Sequence, residues 1–125
     1  MDINKKVLIA DDFTEVTRFI RYCLKNIGFT NIREADSGKA VLRALKKEKY
    51  DLIFCDWNMP DMSGMEVLKK IRSDDELKDI PFIMVTAKAE EEKILAAIKA
   101  GISDYILKPF TAETINEKLD KVFGD

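Results

Sequence analysis

The feature that most restricts the fold of this sequence is a regular alternation of short apolar runs with longer amphipathic segments. The short runs span residues 7–10, 32–35, 52–55, 82–85 and 105–107. Three of them are apolar throughout, without the alternation of a strand that has one face in water. Such runs are typical of strands that helices cover on both faces of a parallel sheet.

The segments between the runs have the three- and four-residue spacing of amphipathic helices. Ser37 and Thr111 are predicted N-caps, and Gly28 and Gly101 are predicted to end helices. The residues predicted to face inward are Val16, Phe19, Ile20, Cys23, Leu24 and Ile27; Ala40, Val41, Ala44 and Leu45; Met65, Val67, Leu68 and Ile71; Ile94, Ala97 and Ile98; and Ile115, Leu119 and Val122.

The resulting order of strands and helices, βαβαβαβαβα, predicts an α/β fold. We expect a parallel, doubly wound sheet with right-handed crossovers and helices on both faces. No linker rich in Gly, Ser or Pro interrupts the 125 residues, so a single domain over 1–125 is expected.

Composition excludes several functions. The chain has no histidine, which rules out histidine general acid–base chemistry and histidine metal ligands. Its 21 basic and 23 acidic residues give a net charge of -2, which argues against binding nucleic acid through bulk charge. Cys23 and Cys55 lie in apolar surroundings and are expected to be buried, reduced thiols. The first apolar run is too short for a signal peptide or a membrane span, so we expect a cytoplasmic protein without membrane insertion.

Polar side chains follow four of the five predicted strands. Asp11 and Asp12 follow the first strand, Asp56 the third, Thr86 the fourth and Lys108 the fifth. The carboxyl ends of parallel strands meet at one edge of a sheet, where α/β proteins bind ligands. Three carboxylates at one edge repel each other unless a cation lies among them, and Mg²⁺ suits a few oxygen ligands plus water. A hydroxyl and an ammonium beside that ion could hold the oxygens of a phosphoryl group.

Each of these residues also has an ordinary structural interpretation. The Asp11–Asp12 pair could cap the helix that follows it, and Asp56 could be a turn residue. Thr86 could simply end a strand, and Lys108 could be one of many solvated lysines. The joint pattern favours a site, because chance would have to place five suitable residues on one edge.

These residues lie within longer motifs that carry a family resemblance. The motifs are Ala-Asp-Asp-Phe at 10–13, Cys-Asp-Trp-Asn-Met-Pro-Asp-Met-Ser-Gly at 55–64, Met-Val-Thr-Ala at 84–87, Ala-Gly at 100–101 and Tyr-Ile-Leu-Lys-Pro-Phe-Thr-Ala at 105–112. Through them the whole chain resembles a response-regulator receiver domain, and most narrowly the receivers of bacterial chemotaxis. The resemblance implies a flavodoxin-like sheet with strand order 2-1-3-4-5.

The resemblance also implies a chemical role for the acidic residues. Asp56 would accept a phosphoryl group from a sensor histidine kinase. Asp12 and Asp56 would bind Mg²⁺ directly, Asp11 largely through water, and Asn58 through its backbone carbonyl. Asn58 would in addition tune the reaction rates.

Further roles fall on the neighbouring strands. Thr86 would donate a hydrogen bond to the bound phosphoryl group, Lys108 would pair with it, and Tyr105 would change rotamer on activation. The peptide bond between Lys108 and Pro109 would be cis. At Lys88 an ammonium near the entrance is expected to attract an anionic phosphodonor and so tune the rate, although it could equally be a solvated lysine.

Output is expected through the surface formed by the fourth helix, the fifth strand and the fifth helix. Its predicted members are Glu90, Glu91, Ile94, Leu95, Tyr105 and Lys118. The expected partners are a sensor histidine kinase and a flagellar motor switch protein, with a phosphatase as a further candidate. The chain is expected to be a monomer that catalyses only its own phosphorylation and dephosphorylation. Glu90 and Glu91 depart from the enteric chemotaxis receiver, in which lysines are usual at these positions.

Four alternatives stay open at the level of sequence. A phosphatase of the haloacid-dehalogenase type also uses an aspartate nucleophile, Mg²⁺, Thr and Lys, but it needs Asp-x-Asp after the first strand and a cap domain. A flavodoxin-like electron carrier needs a phosphate loop where this chain has the acidic Asp11 and Asp12. A stand-alone receiver of another phosphorelay and a receiver cut from a longer regulator fit the same motifs.

Overall fold

A parallel sheet of five strands forms the centre of the protein. The computed structural model describes residues 2–87 and 90–124. The elements are β1 (Val7–Ala10), α1 (Thr14–Ile27), β2 (Ile32–Ala35), α2 (Gly38–Lys47), β3 (Leu52–Asp56), α3 (Gly64–Arg72), β4 (Phe82–Thr86), α4 (Glu91–Ala100), β5 (Asp104–Leu107) and α5 (Ala112–Phe123). All strand pairs are parallel, in the order β2-β1-β3-β4-β5. The predicted fold class and strand order are confirmed.

The three central strands, β1, β3 and β4, are buried along their whole length. Successive side chains of a strand point to opposite faces, so each strand supplies two cores. In β1, Val7 and Ile9 belong to the core under α1 and α5, whereas Leu8 and Ala10 belong to the core under α2 and α3. Burial on both faces explains why these runs are apolar throughout.

The helical stripes are mostly as predicted, with two exceptions. Phe19 is 38% exposed and Ile98 is 54% exposed, so the prediction that both face inward is wrong. Phe19 lies at the border of its stripe and contacts the ring of Phe110 at 5.7 Å between centroids. On α4, Ala97 is fully buried, and the adjacent Ile98 is turned about 100° away from it around the helix.

Helix ends follow the sequence signals. The Ser37 side chain accepts a hydrogen bond from the Ala40 N–H at the start of α2, and Thr111 accepts one from Thr114 at the start of α5. Gly28 and Gly101 have positive φ angles of 122° and 104°, which favour glycine, at the ends of α1 and α4.

Both thiols are buried and free, as predicted for Cys23 and Cys55. Within residues 2–87 and 90–124, no helix combines the length and the apolar composition that a membrane crossing would need.

Candidate functional site

Three carboxylates lie together at the carboxyl edge of the sheet. Asp11 follows β1 directly, Asp12 comes next, and Asp56 is the last residue of β3. One oxygen from each lies within 4.8 Å of the others. Asp11 and Asp56 are only 3% and 5% exposed, whereas Asp12 faces solvent. This arrangement of hard oxygen donors with one open side fits a small divalent cation.

Lys108 reaches into this cluster from the loop after β5. Its Nζ lies 2.9 Å from Asp11 Oδ2 and 3.0 Å from Asp56 Oδ1. The Lys108 N–H donates to the carbonyl of Thr86 at 2.8 Å, which fixes the start of this loop against the end of β4. The Lys108–Pro109 peptide is cis, as the resemblance implied. The structure therefore brings one ammonium and three carboxylates to one edge.

Burial and neighbouring charges shift the ionisation of this cluster. Burial raises the pKa of Asp56, and the charges of Asp11 and Asp12 add to that rise, while the hydrogen bond from Lys108 opposes it. Burial by itself would lower the pKa of Lys108, but its hydrogen bonds to Asp11 and Asp56 outweigh burial and raise it. Lys108 thus stays protonated, and one ammonium faces three acids. Because the carboxylates outnumber the ammonium, an added cation would be attracted to the cluster.

The structure does not show the acid pair as a helix cap. Helix α1 has Phe13 at its N-cap, without a side-chain hydrogen bond to the first turn. Asp11 Oδ1 instead accepts a hydrogen bond from the Phe13 N–H at 2.9 Å. This bond fixes the orientation of the Asp11 carboxylate, and its other oxygen faces Lys108. Asp56 belongs to a strand rather than to a turn.

Thr86 and Asn58 lie at the carboxyl ends of two neighbouring strands, β4 and β3. Thr86 ends β4 and is 6% exposed, and Asn58 is exposed in the loop after β3. Both line one surface cleft with Trp57, Ala87 and Lys93.

Tyr105 lies on the strand next to Thr86. In the register of β4 and β5, Tyr105 pairs with Met84 and Leu107 pairs with Thr86. Met84 and Thr86 are two residues apart, so their side chains point to the same face, and Tyr105 shares that face. Tyr105 packs against the second core, and the Nζ of Lys118 lies 5.7 Å from its ring centroid. Thr86 and Tyr105 therefore lie on the same face of two neighbouring strands.

The predicted output surface is partly apolar. Glu90, Glu91 and Leu95 are exposed, while Ile94, Tyr105 and Lys118 are half-buried. Leu95 is 51% exposed, so of these two neighbouring residues only Ile94 is partly buried. Lys88, the predicted rate-tuning lysine, lies outside the described residues.

Sequence reasoning missed two residues of this region. Ile98 adds a second large exposed side chain beside Leu95, and only the packing of Ala97 reveals it.

Gly64 starts α3, where a β-carbon would collide with the backbone oxygen of Asp56. Its N–H donates to the Trp57 carbonyl at 2.7 Å, so the helix begins directly against the end of β3. The signal for Gly64 was its place eight residues after the strand-end aspartate.

Comparison with known proteins agrees with this geometry. The model of the response regulator receiver domain family matches residues 7–120, so the chain belongs to that family. It is 50% identical to chemotaxis protein CheY-3 of Vibrio cholerae over 96% of this chain and 92% of that protein. It is 44% identical to chemotaxis protein CheY of Pseudomonas aeruginosa over 94% of this chain and 95% of that protein. The chain is the receiver domain of a CheY-like response regulator in chemotaxis, and the phosphatase and electron-carrier alternatives are wrong.

Solved structures share the fold. The chemotaxis response regulator CheY4 of Vibrio cholerae is 30% identical, with a TM-score of 0.89 over 95% of this chain and 98% of that one. The receiver domain of sensor histidine kinase PA1611 from Pseudomonas aeruginosa is 24% identical, with a TM-score of 0.87 over 98% of this chain and 99% of that one. The latter structure is described with a magnesium ion coordinated in its active-site cleft.

Proposed function

We propose that Asp56 accepts a phosphoryl group from a phosphohistidine of a sensor kinase, in the cytoplasm, and that the protein then binds a flagellar motor switch protein. The observation that carries this proposal is the position of the Lys108 ammonium, 2.9 Å from Asp11 and 3.0 Å from Asp56, beside the exposed Asp12. A site with this charge pattern suits an incoming phosphoryl group once a divalent cation is bound.

Mg²⁺ is the cation that the donor set fits. Asp11, Asp12 and Asp56 supply carboxylate oxygens within 4.8 Å of one another, and Asn58 would add its backbone carbonyl. When bound, the ion neutralises charge on the carboxylates and on the phosphoryl oxygens. The magnesium described for a receiver of the same fold supports this assignment.

The phosphoryl transfer itself needs few protein groups. A carboxylate oxygen of Asp56 forms the new bond to phosphorus, the bond from phosphorus to the imidazole nitrogen breaks, and an acyl phosphate results. The acyl phosphate carries about two negative charges, about one more than the Asp56 carboxylate from which it forms. Lys108 already contacts Asp56 and would pair with a phosphoryl oxygen, while the Thr86 hydroxyl would donate a hydrogen bond to another. Attack of water on phosphorus later returns the Asp56 carboxylate and inorganic phosphate.

The signal would leave the site through β4 and β5. A hydrogen bond from Thr86 to the phosphoryl group draws Thr86 toward Asp56 and opens space on the face that Tyr105 shares. Tyr105 would move into that space and change the surface beside Leu95 and Lys118. A switch of this kind responds only to contacts that differ between its two states, here the new bonds of Thr86 and Lys108.

The test combines a small phosphodonor with mass spectrometry. We expect acetyl phosphate and Mg²⁺ to add one phosphoryl group, mapped to Asp56, and we expect Asp56→Asn to remain unmodified. Binding of a peptide from a flagellar motor switch protein should rise after phosphorylation. Stable modification of other residues in Asp56→Asn would contradict the assignment. A phosphorylated protein that ignores the peptide would point to a stand-alone receiver of another phosphorelay.

A further inference from the structure

The carboxylate of Asp61 joins two parts of the protein that are separate in the sequence. Asp61 lies in the loop between β3 and α3, yet its Oδ1 accepts a hydrogen bond from the Gly38 N–H and its Oδ2 accepts one from the Lys39 N–H, each at 2.9 Å. Oδ1 also accepts the Met62 N–H at 2.9 Å. These backbone donors, Lys39 first among them, lower the pKa of Asp61 despite opposition from burial. Asp61 is therefore an ionised tether between this loop and α2.

The first turn of helix α2 has backbone N–H groups that a carboxylate from outside the helix can pair with. The helix has no acidic residue in its own first turn, and Ser37 satisfies only the Ala40 N–H. Asp61 satisfies the Gly38 and Lys39 N–H groups and places a negative charge at the positive end of the helix. Gly38 also permits the approach, because a β-carbon there would collide with the Met62 side chain.

The tethered loop carries Asn58, whose carbonyl is a proposed metal ligand. The loop is closed at its base by the hydrogen bond from Gly64 to Trp57. Between these ends, Met59 and Met62 pack against the second core through flexible side chains. Among the hydrogen bonds of the described residues, those of Asp61 connect this loop to α2.

The other side of the tether leads back to the acidic cluster. Helix α2 starts just after β2, and the Ala35 carbonyl of β2 accepts a hydrogen bond from the Asp11 N–H at 3.1 Å. Asp61 thus links the loop of Asn58 to the elements that hold Asp11.

We propose that Asp61 is a positioning residue, which keeps the Asn58 carbonyl in place for Mg²⁺ by fixing the loop at residues 57–63 to the first turn of α2. This inference rests on the proposed function of the acidic cluster. Asp61 would act through this loop and is not itself proposed as a ligand of the ion or of the phosphoryl group. Loss of residues that orient metal ligands typically weakens metal binding by about 10- to 100-fold. Because only one of several ligands is affected, we expect the lower end of that range.

The experiment measures the dissociation constant of Mg²⁺ by the fluorescence of Trp57, the single tryptophan and the neighbour of Asp56. Asp61→Ala should bind Mg²⁺ about tenfold more weakly than the wild type. Ser37→Ala is the matched control, since it also removes a side-chain cap from α2 but leaves the tether intact. We expect it to lower the melting temperature in the same way without changing Mg²⁺ affinity. Phosphorylation of Asp61→Ala by acetyl phosphate should return to the wild-type rate at saturating Mg²⁺.

Either of two results would overturn this inference and leave the proposed function intact. One is equal Mg²⁺ affinity in Asp61→Ala and the wild type, and the other is an equal loss of affinity in Ser37→Ala. If Asp61→Ala does not fold, Asp61→Asn keeps one carbonyl acceptor and loses the other, and wild-type affinity in that variant would also overturn it. A wild-type protein that binds no Mg²⁺ would instead overturn the proposed function, so the two failures are distinguishable.

Discussion

At the scale of single residues, the site is defined by an excess of carboxylates over cations. Asp11 and Asp56 are buried and share one ammonium, that of Lys108, while Asp12 faces solvent. Buried charges are costly unless they are paired. The site therefore stores repulsion that a divalent cation would relieve, and the stability of the protein should report whether the cation is present.

Replacement of Asp12 should separate metal binding from folding. In metal-free buffer, Asp12→Ala should raise the free energy of unfolding by about 1 kcal/mol. The reason is that it removes the repulsion between the exposed Asp12 carboxylate and the buried carboxylates of Asp11 and Asp56. Mg²⁺ should raise the melting temperature of the wild type and have little effect on this variant. Thermal unfolding with EDTA and with Mg²⁺ measures both quantities, and Glu15→Ala, an exposed acid in the first turn of α1, is the control. A wild type that is indifferent to Mg²⁺ would contradict the assignment.

At the scale of elements, two glycines at helix starts are constrained by different neighbours. A β-carbon on Gly64 would meet the backbone oxygen of Asp56, which cannot move without shifting β3. A β-carbon on Gly38 would meet the side chain of Met62, which is flexible. Both glycines occupy the first residue of a helix, so a change to alanine affects helix propensity similarly in each.

Comparison of Gly64→Ala with Gly38→Ala should therefore isolate the collision with the strand. We expect Gly64→Ala to lose about 1–3 kcal/mol of unfolding free energy, the usual cost of overpacking, and to be phosphorylated more slowly because Asp56 is displaced. Gly38→Ala should lose less. Urea unfolding and acetyl phosphate kinetics give the two readouts. Equal behaviour of the two variants would show that contact with Asp56 is not what requires Gly64.

The connection between β4 and β5 carries the proposed switch. Thr86→Ala should still accept the phosphoryl group on Asp56, since Lys108 and the acids remain, but phosphorylation should no longer increase binding of the motor switch peptide. Thr86→Ser keeps the hydroxyl and should retain most of that increase. The measurement is peptide affinity by fluorescence anisotropy, with and without phosphodonor. A normal increase in Thr86→Ala would exclude the coupling of Thr86 to Tyr105.

At the scale of the whole molecule, the sequence was most informative where one physical rule acts alone. Burial on both faces explains why β1, β3 and β4 are almost entirely apolar, so these strands could be predicted from the sequence. The parallel arrangement places Asp11, Asp56 and Lys108 at one edge of the sheet, so their proximity could be predicted before any side-chain geometry was known. Periodicity failed for Ile98 because α4 buries little more than Ala97, and a helix with one small buried residue has no well-defined stripe. The tether of Asp61 could not be predicted, because it joins residues 23 positions apart through backbone N–H groups, which every residue has.

The exposed residues of α4 yield the last prediction. Leu95 and Ile98 are 51% and 54% exposed on the predicted output surface, and neighbouring large apolar side chains in water often mark a binding site. Ile98→Asp should therefore weaken binding of the motor switch peptide by the phosphorylated protein about tenfold, in line with the loss of more than 1 kcal/mol that defines important interface residues. Its phosphorylation rate should not change, because Ile98 lies outside the acidic cluster.

Tyr22→Asp is the matched control for this variant. Tyr22 is 62% exposed on α1, a helix of the opposite core, so it adds the same charge to a different surface. If both variants bind the peptide equally well, α4 is not the docking surface. If both bind it equally poorly, the added charge rather than the location explains the loss. Selective loss in Ile98→Asp is the outcome expected if Ile98, which sequence periodicity had assigned to the core, contacts the peptide together with Leu95.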